Sequence, residues 1–331
     1  MAGGQNFICM REGSDRLKRA VITGATSMIG VAVIRECIKN KIEVLAIVQR
    51  RTKKIDRIPD SSLITVCECN LDELHQLYRE HRGEGDAERY DVFYHFAWGF
   101  TAKQTRDNPV LQAENIRYTM DAVELARRLG CRKFIGAGSQ AEYGIVHEVI
   151  DSRTKAAPVS AYGISKHAAG LLSAKLCAQY QMIHIWGRIF SVYGCNDSEE
   201  TMLSYAVNRF LRQEKAQFSA ATQFWDYLFE EDAGKILYLL GEKVQKSGCY
   251  RIANGQSRPL KEFILELKDL FPGNPECEFD NNTDTDHLVS LQADIEDLVR
   301  DIGFRPEITF EDGIKRVIRY WKEKYQLEVD G

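Results

Sequence analysis

The chain has 331 residues, 44% of them hydrophobic and 28% charged, with a formal net charge of -4 at pH 7. That length can build one large core with a second, smaller lobe, and the composition is that of an ordinary soluble globular protein. The slightly negative balance supplies no basic field for nucleic acid, and with no run near 18 consecutive apolar residues and no apolar core in "MAGGQNFICMREGSDRLKR", neither a membrane span nor a signal peptide is expected.

A cytoplasmic protein with reduced thiols follows, because the nine cysteines are scattered without a CxxC pair, and no metal site is expected. Residues 1–17 read as a flexible tail, rich in Gly, Ser, Asn and charge and without a period. From Arg19 the pattern changes: "RAVITG" is a short strand and "MIGVAVIRECIKN" has helical spacing. The turn between them, "VITGATSMIG", carries Gly24, which can take backbone angles closed to other residues, and Gly30, which lets the helix pack closely on the strand. The helix start then offers unpaired N–H groups and a partial positive charge to a pyrophosphate. The middle glycine of the usual dinucleotide fingerprint is Ser27 here, so the motif is incomplete and gains its meaning from the β/α alternation that follows.

"EVLAIVQR" is a second strand. Where a NAD-preferring site usually has an acid for the ribose hydroxyls, this strand runs into Arg50 and Arg51. Guanidinium groups suit a 2′-phosphate, so NADP(H) is preferred, with NAD(H) possible, and Lys53 and Lys54 read as a solvated loop. "SLITVCEC" and "DVFYHFAW" are further strands, followed by the helix "ENIRYTMDAVELARRLG" and the strand "KFIGAGS", which ends at Ser139. A residue beyond the carboxyl end of a strand in a doubly wound sheet faces the ligand crevice, so Ser139 is expected to hydrogen-bond a substrate oxygen. A nucleophilic role is disfavoured, because "GSQAEYG" has no GxSxG elbow. In "SAYGISKHAAG", Tyr162 and Lys166 fall one turn apart on one helical face. A free phenol with a pKa near 10 is a poor acid or base at neutral pH, and an adjacent ammonium lowers that value. The strand "IHIWGRI" follows; beyond about residue 189 the alternation weakens, "CYRIANG" gives one more strand, and "FEDGIKRVIRYWKEKY" is a closing amphipathic helix. Strands that are nearly continuous apolar runs, alternating with helices, indicate an α/β fold with a doubly wound parallel sheet.

Taken together, "TGATSMIG", "YHFAW", "GSQAEYG", "YGISK", "RIFSVYG" and "FWDYLFEEDAG" resemble the extended short-chain dehydrogenase/reductase superfamily, in particular its nucleotide-sugar epimerases, dehydratases and reductases, over about residues 19–325. The resemblance implies a Rossmann-type sheet with a smaller C-terminal substrate-binding domain: residues 18–188 with about 223–255 for the dinucleotide, and 189–222 with 256–326 for the substrate. It implies a catalytic Ser139, Tyr162 and Lys166, with Lys166 also holding the nicotinamide ribose. Cofactor contacts are then expected from Gly24, Ser27, Met28, Ile29 and Gly30, from Arg50, Arg51, Asn70 and Leu71, from Phe96, Ala97 and Trp98, and from Asn115, Tyr162, Lys166 and Ile189. Substrate contacts are expected from Trp98, Gln140, Ala141, Ser191 and Trp225, and a homodimer with a nucleotide-sugar substrate is the implied assembly.

Departures from the family pattern narrow the chemistry. The acid–acid pair that sugar 4,6-dehydratases use is replaced by Gln140 and Ala141, and a decarboxylating relative's Glu is Ala141, while Glu142, one step displaced, reads as structural. Ser191 stands where the family often has Asn and Trp225 where it often has Arg, which leaves Arg209, Arg212 and Arg258 as candidates for the diphosphate. The "QRR" sequence favours an NADPH-dependent reduction of a 4-keto deoxy sugar nucleotide. A nucleotide-sugar 4-epimerase with tightly bound NAD(P) is the alternative, and a non-catalytic dinucleotide-binding regulator is a third reading.

Overall fold

The computed structural model describes residues 16–77, 89–280 and 289–325. In chain order the first part runs β1 (Arg19–Thr23), α1 (Met28–Lys39), β2 (Glu43–Val48), β3 (Ile64–Glu68), a helical turn α2 (Leu74–Leu77), β4 (Val92–His95), α3 (Pro109–Arg128), β5 (Lys133–Ser139), α4 (Ala161–Gln179) and β6 (Ile183–Ile189). The second part runs β7 (Ser191–Tyr193), α5 (Met202–Leu211), β8 (Ala216–Phe218), β9 (Phe224–Trp225), β10 (Tyr227–Phe229), α6 (Glu230–Lys243), β11 (Gly248–Ile252), β12 (Arg258–Pro259), α7 (Leu260–Asp269), β13 (Cys277–Phe279), α8 (Glu296–Ile302) and α9 (Phe310–Lys324).

Seven of these strands form one parallel sheet in the order β11-β6-β5-β4-β1-β2-β3, the Rossmann-type doubly wound arrangement expected from the β/α alternation. The two faces of the sheet bury different residues of the same strands, because successive side chains point to opposite sides. Ile22, Ala46, Tyr94 and Ile135 pack with α1 (Val33, Ile34, Cys37) and α6 (Ile236, Leu237, Leu240) on one side. Val21, Leu45, Phe93 and Phe134 pack with α3 (Ala122, Val123, Ala126) and α4 (Cys177) on the other. Every residue of β4 and β5 is buried, which is why those segments read as continuous apolar runs rather than alternating ones. A separate core under the C-terminal elements gathers Leu203, Val207 and Phe210 of α5, Leu267 of α7, and Ile314, Val317 and Trp321 of α9.

The expected helix "ENIRYTMDAVELARRLG" starts earlier, at Pro109, where Asn108 caps it by accepting from the N–H groups of Val110 and Leu111. β4 ends at His95, so Phe96, Ala97 and Trp98 belong to the loop beyond it. Of the expected tail, residues 1–15 lie outside the described residues, and Leu17 is buried in the sheet's core rather than free.

Candidate active site

The sheet changes winding direction between β1 and β4, and the carboxyl ends of these two strands diverge into a crevice. There the structure has a cleft of about 980 Å³.

Its first wall is the turn after β1. Gly24 has φ +66°, and a Cβ there would lie 2.7 Å from Ala97 N; a Cβ on Gly30 would lie 2.4 Å from Gly24 O. Both positions therefore exclude any larger residue, one by conformation and contact, the other by helix–strand approach. Ser27 caps α1 by accepting from the Gly30 N–H at 3.0 Å, and no acid occupies the first turn. Ser27, Met28 and Ile29 thus bring an uncompensated helix N-terminus to the cleft, the arrangement that binds phosphate groups.

A second wall comes from the ends of β2 and β3. Gln49, Lys54, Asn70, Leu71 and Asp72 line it, whereas Arg50 and Arg51 do not. Arg50 Nε instead donates to Glu73 Oε2 at 2.8 Å, a bond that, as its largest influence, holds the Glu73 carboxyl below its usual range. Arg51 is exposed in a left-handed turn with φ +56°. The two guanidinium groups expected at the cofactor's 2′-phosphate thus do not line the cleft, and the cation that lines this wall is Lys54, which the sequence suggested was only a solvated loop residue.

The third wall lies beyond β4 and β5. Phe96, Ala97 and Trp98 line it. The inward face of α3 holds this loop: Trp98 Nε1–H donates to Gln112 Oε1 at 2.9 Å, Gln112 Nε2–H to Phe100 O at 2.8 Å, and the Gly99 N–H to Asn115 Oδ1 at 2.7 Å. Asn115 is buried and acts through the Gly99 backbone rather than facing the cleft. Opposite, Ser160 caps α4 by accepting from the Gly163 N–H at 3.1 Å and so starts the helix one turn before Lys166.

Ser139, Gln140, Tyr162 and Lys166 line the same cleft. Lys166 Nζ donates to Ala137 O at 2.6 Å and sits 3.7 Å above the Trp98 ring. Burial pushes the Lys166 ammonium down to about 7, against the opposing pull of the Glu142 carboxylate and with a further lowering by Arg106. Burial also pushes the Tyr162 phenol up, offset first by Arg106 and then by the Ser139 hydroxyl hydrogen-bonded to it, with Glu142 adding to the rise. Lys166, expected as the cation beside Tyr162, has its Nζ 5.8 Å from the phenol ring centroid and donates to Ala137 O. Glu142 is fully buried, accepting from Ser139 N at 2.9 Å, Trp186 Nε1 at 2.9 Å and Arg188 Nε at 2.8 Å.

A model of the NAD dependent epimerase/dehydratase family matches residues 20–254. The chain belongs to that family. It is 22% identical over 312 residues, 91% of its own length and 98% of the relative's, to a protein of Methanocaldococcus jannaschii that carries the provisional name UDP-glucose 4-epimerase. Its fold is similar to that of a UDP-N-acetylglucosamine 4-epimerase from Methanobrevibacter ruminantium, solved in complex with UDP-N-acetylmuramic acid (18% identity, TM-score 0.81, covering 93% of this chain and 99% of that one). It is similar as well to the Bordetella bronchiseptica enzyme WbmG in complex with NAD and UDP (19% identity, TM-score 0.77, 96% of each chain).

Several expected family positions lie away from the cleft. Ser191 pairs with Tyr227 in the short β7–β10 ladder, and Trp225 pairs with Arg258 and packs half-buried beside Tyr227. Ala141 does not line the cleft, and its N–H donates to Ser139 Oγ at 3.2 Å. The diphosphate candidates are engaged elsewhere: Arg209 with Glu214 at 2.6 Å, Arg258 with Glu266, and Arg212 over the Tyr325 ring. Ile189 lines the cleft. Arg106, Tyr118 and Asp197 line it too and carry no motif by which sequence reasoning could find them, whereas Gln112 could have been found from the "DNP" cap that puts it on the first turn of α3.

Proposed function

We propose that the chain is an NAD(P)-dependent 4-epimerase of nucleotide sugars, with Ser139, Tyr162 and Lys166 at the reacting centre. The observation that carries this reading is the convergence, in one cleft, of a glycine-tight turn at an acid-free helix start with Trp98, Ser139, Tyr162 and Lys166. A nicotinamide dinucleotide fits these residues: Gly24 and the α1 N-terminus suit its pyrophosphate, and Phe96, Ala97 and Trp98 flank its nicotinamide half. When bound, that cofactor supplies reversible hydride exchange with a sugar carbon. The chain's own residues then manage the proton and the oxygen. Tyr162 exchanges its phenolic proton with the sugar hydroxyl, Ser139 donates to the oxygen on which charge develops, and Lys166, fixed by Ala137 O, orients both the ribose and the phenol.

The relatives favour epimerase over reductase, since two carry 4-epimerase names and a third binds NAD with UDP. The reductase reading rested on Arg50 and Arg51 facing a 2′-phosphate, and Arg50 is held by Glu73. Lys54 in the cleft wall is the observation that keeps NADP(H) under test. The C-terminal elements around α5, α7 and α9 are proposed as the substrate lobe. Exposed Ile164, Leu171 and Leu172 along α4 support a homodimer.

The test incubates the purified protein with UDP-glucose, UDP-galactose and UDP-N-acetylglucosamine without added cofactor. It follows interconversion by anion-exchange chromatography and identifies the dinucleotide released on denaturation. Interconversion with co-purified NAD, reduced roughly 10²- to 10⁴-fold in Tyr162→Phe, is expected. Stoichiometric NADPH consumption with a 4-keto sugar nucleotide and no interconversion would overturn the epimerase reading in favour of the reductase.

A further inference from the structure

The loop between β4 and α3 carries an arginine that the chemistry above leaves unused. Arg106 is exposed, lines the cleft, and rests its guanidinium 4.2 Å from the centroid of the Tyr162 ring. Two further contacts hold this stack in place. The Ala161 N–H donates to Asp107 Oδ1 at 2.7 Å, tying the residue after Arg106 to the residue before Tyr162. The N–H groups of Thr105 and Arg106 both donate to Ala102 O at 2.9 Å, which folds the loop into a turn beneath the stack. A guanidinium held over a phenol face is a contact for which the planar arginine group is suited and a compact lysine ammonium is less so.

The other groups facing Tyr162 come from three elements. Lys166 lies one turn along α4 with its Nζ bound to Ala137 O; the Ser139 hydroxyl approaches from the end of β5; and Glu142, buried in the turn beyond β5, opposes ionisation of the phenol. The Trp98 ring stands edge-on at 6.2 Å. Arg106 is thus the cation nearest the ring face, and it is the largest influence working against the effect of burial on the phenol.

We propose that Arg106 is a positioning residue of the reacting site, a second cation that fixes the Tyr162 ring and favours its phenolate. The inference rests on the reading of Tyr162 as the proton-exchanging group. Through Tyr162 the arginine brings the phenol closer to the pH at which it can both take up and give back a proton, as an epimerase needs within one cycle.

The experiment labels tyrosine with ¹³C at Cζ and titrates the Tyr162 resonance, assigned by its disappearance in Tyr162→Phe, in the wild type, Arg106→Leu and Arg106→Lys. Thermal melts establish that each variant is folded. Arg106→Leu is expected to raise the titration midpoint by about one pH unit, and Arg106→Lys to recover about half of that shift because the charge remains while the planar stack is lost. The acid limb of the epimerisation rate, which reports the phenolate that takes up the hydroxyl proton, should move in the same direction, with KM changing less than about twofold. An unchanged midpoint in Arg106→Leu overturns the proposal, and a KM raised roughly tenfold alongside that unchanged midpoint reassigns Arg106 to direct contact with the substrate. The titration needs no turnover, so a wild type without epimerase activity would refute the proposed function while leaving the role of Arg106 to be decided by the resonance.

Discussion

Replacing Glu142 with glutamine removes one buried negative charge and keeps the side-chain shape. In the structure Oε1 accepts from Ser139 N and Trp186 Nε1, and Oε2 accepts from Arg188 Nε. An amide has one acceptor oxygen. With that oxygen at the Oε1 position, its NH₂ group confronts the Arg188 donor; reversed, it confronts both Ser139 and Trp186. The Arg188 side chain is only 12% exposed, so water replaces little of what is lost. Removing one partner of a buried ion pair costs about 3–5 kcal/mol. Arg188 keeps its stacking on Tyr143, at 4.4 Å from the ring centroid, and the lower end of that range, about 3 kcal/mol, is expected. At about 2 °C per kcal/mol for a chain of this size, that is a fall of about 6 °C in Tm. The assay is urea unfolding at pH 7, where the midpoint should drop without a change of slope. Adding Arg188→Met to Glu142→Gln removes the orphaned charge and should recover at least about 1 kcal/mol, which isolates the pair from general core damage. A loss below about 1 kcal/mol for Glu142→Gln, or additive effects in the double variant, would refute the view that this carboxylate is the buried hub beneath Ser139.

Gly30→Ala places a methyl group 2.4 Å from Gly24 O, backbone that cannot move aside, so a cost of about 1–3 kcal/mol and roughly tenfold weaker dinucleotide binding by calorimetry are expected; unchanged affinity would count against the turn as the pyrophosphate site. Because Arg50 and Arg51 do not line the cleft, alanine at both should change the ratio of NADPH to NADH dissociation constants by less than about threefold, whereas Lys54→Ala should weaken binding by about fivefold, and a large ratio change in the double variant would restore them as the 2′-phosphate site. Burial lowers His184 from its usual 6.5 to about 4, so the unfolded chain binds a proton there that the folded chain refuses between those values. Its contribution to stability is therefore intact above about pH 6.5 and is lost progressively as the pH falls toward about 4, by up to about 3 kcal/mol. His184→Gln should flatten that part of the urea-midpoint profile, and equal slopes in the two proteins would contradict the assignment.

What the sequence revealed and what it hid follow from burial. β1, β2, β5 and β6 were legible because strands buried on both faces write continuous apolar runs between turn residues. Ser139 was legible as a crevice residue because a doubly wound sheet fixes what lies past a strand's carboxyl end, whereas Trp98 was expected there only from the family resemblance. The same reasoning failed for Arg50. Strand position locates a loop residue's backbone, but the direction of a long side chain is set by whichever charge captures it, and Glu73 sits 23 residues further along the chain. Ser191 and Trp225 were hidden for a related reason: beyond β6 the chain forms two- and three-residue ladders whose pairing partners are distant in sequence, so local pattern gives no register. Arg106 had no pattern at all, since its role depends on a turn meeting a helix end across the cleft.

The departures from the family pattern fall unevenly across this architecture, and Ser139, Tyr162 and Lys166 still converge on one cleft. β1, β4 and β5 are neighbours in the sheet, so Gly24, the Phe96–Trp98 loop and Ser139 stand in a row at spacings of about 4.8 Å per strand. α4 is locked onto that row by the Lys166–Ala137 hydrogen bond, which fixes the phenol relative to the serine whatever occupies the outer ends of the cleft. Ser27 sits in the cleft wall, on the turn after β1, while Ser191 and Trp225, in β7 and β9, do not line the cleft. Ser191 and Trp225 thus stand outside the lining that brings Ser139, Tyr162 and Lys166 together.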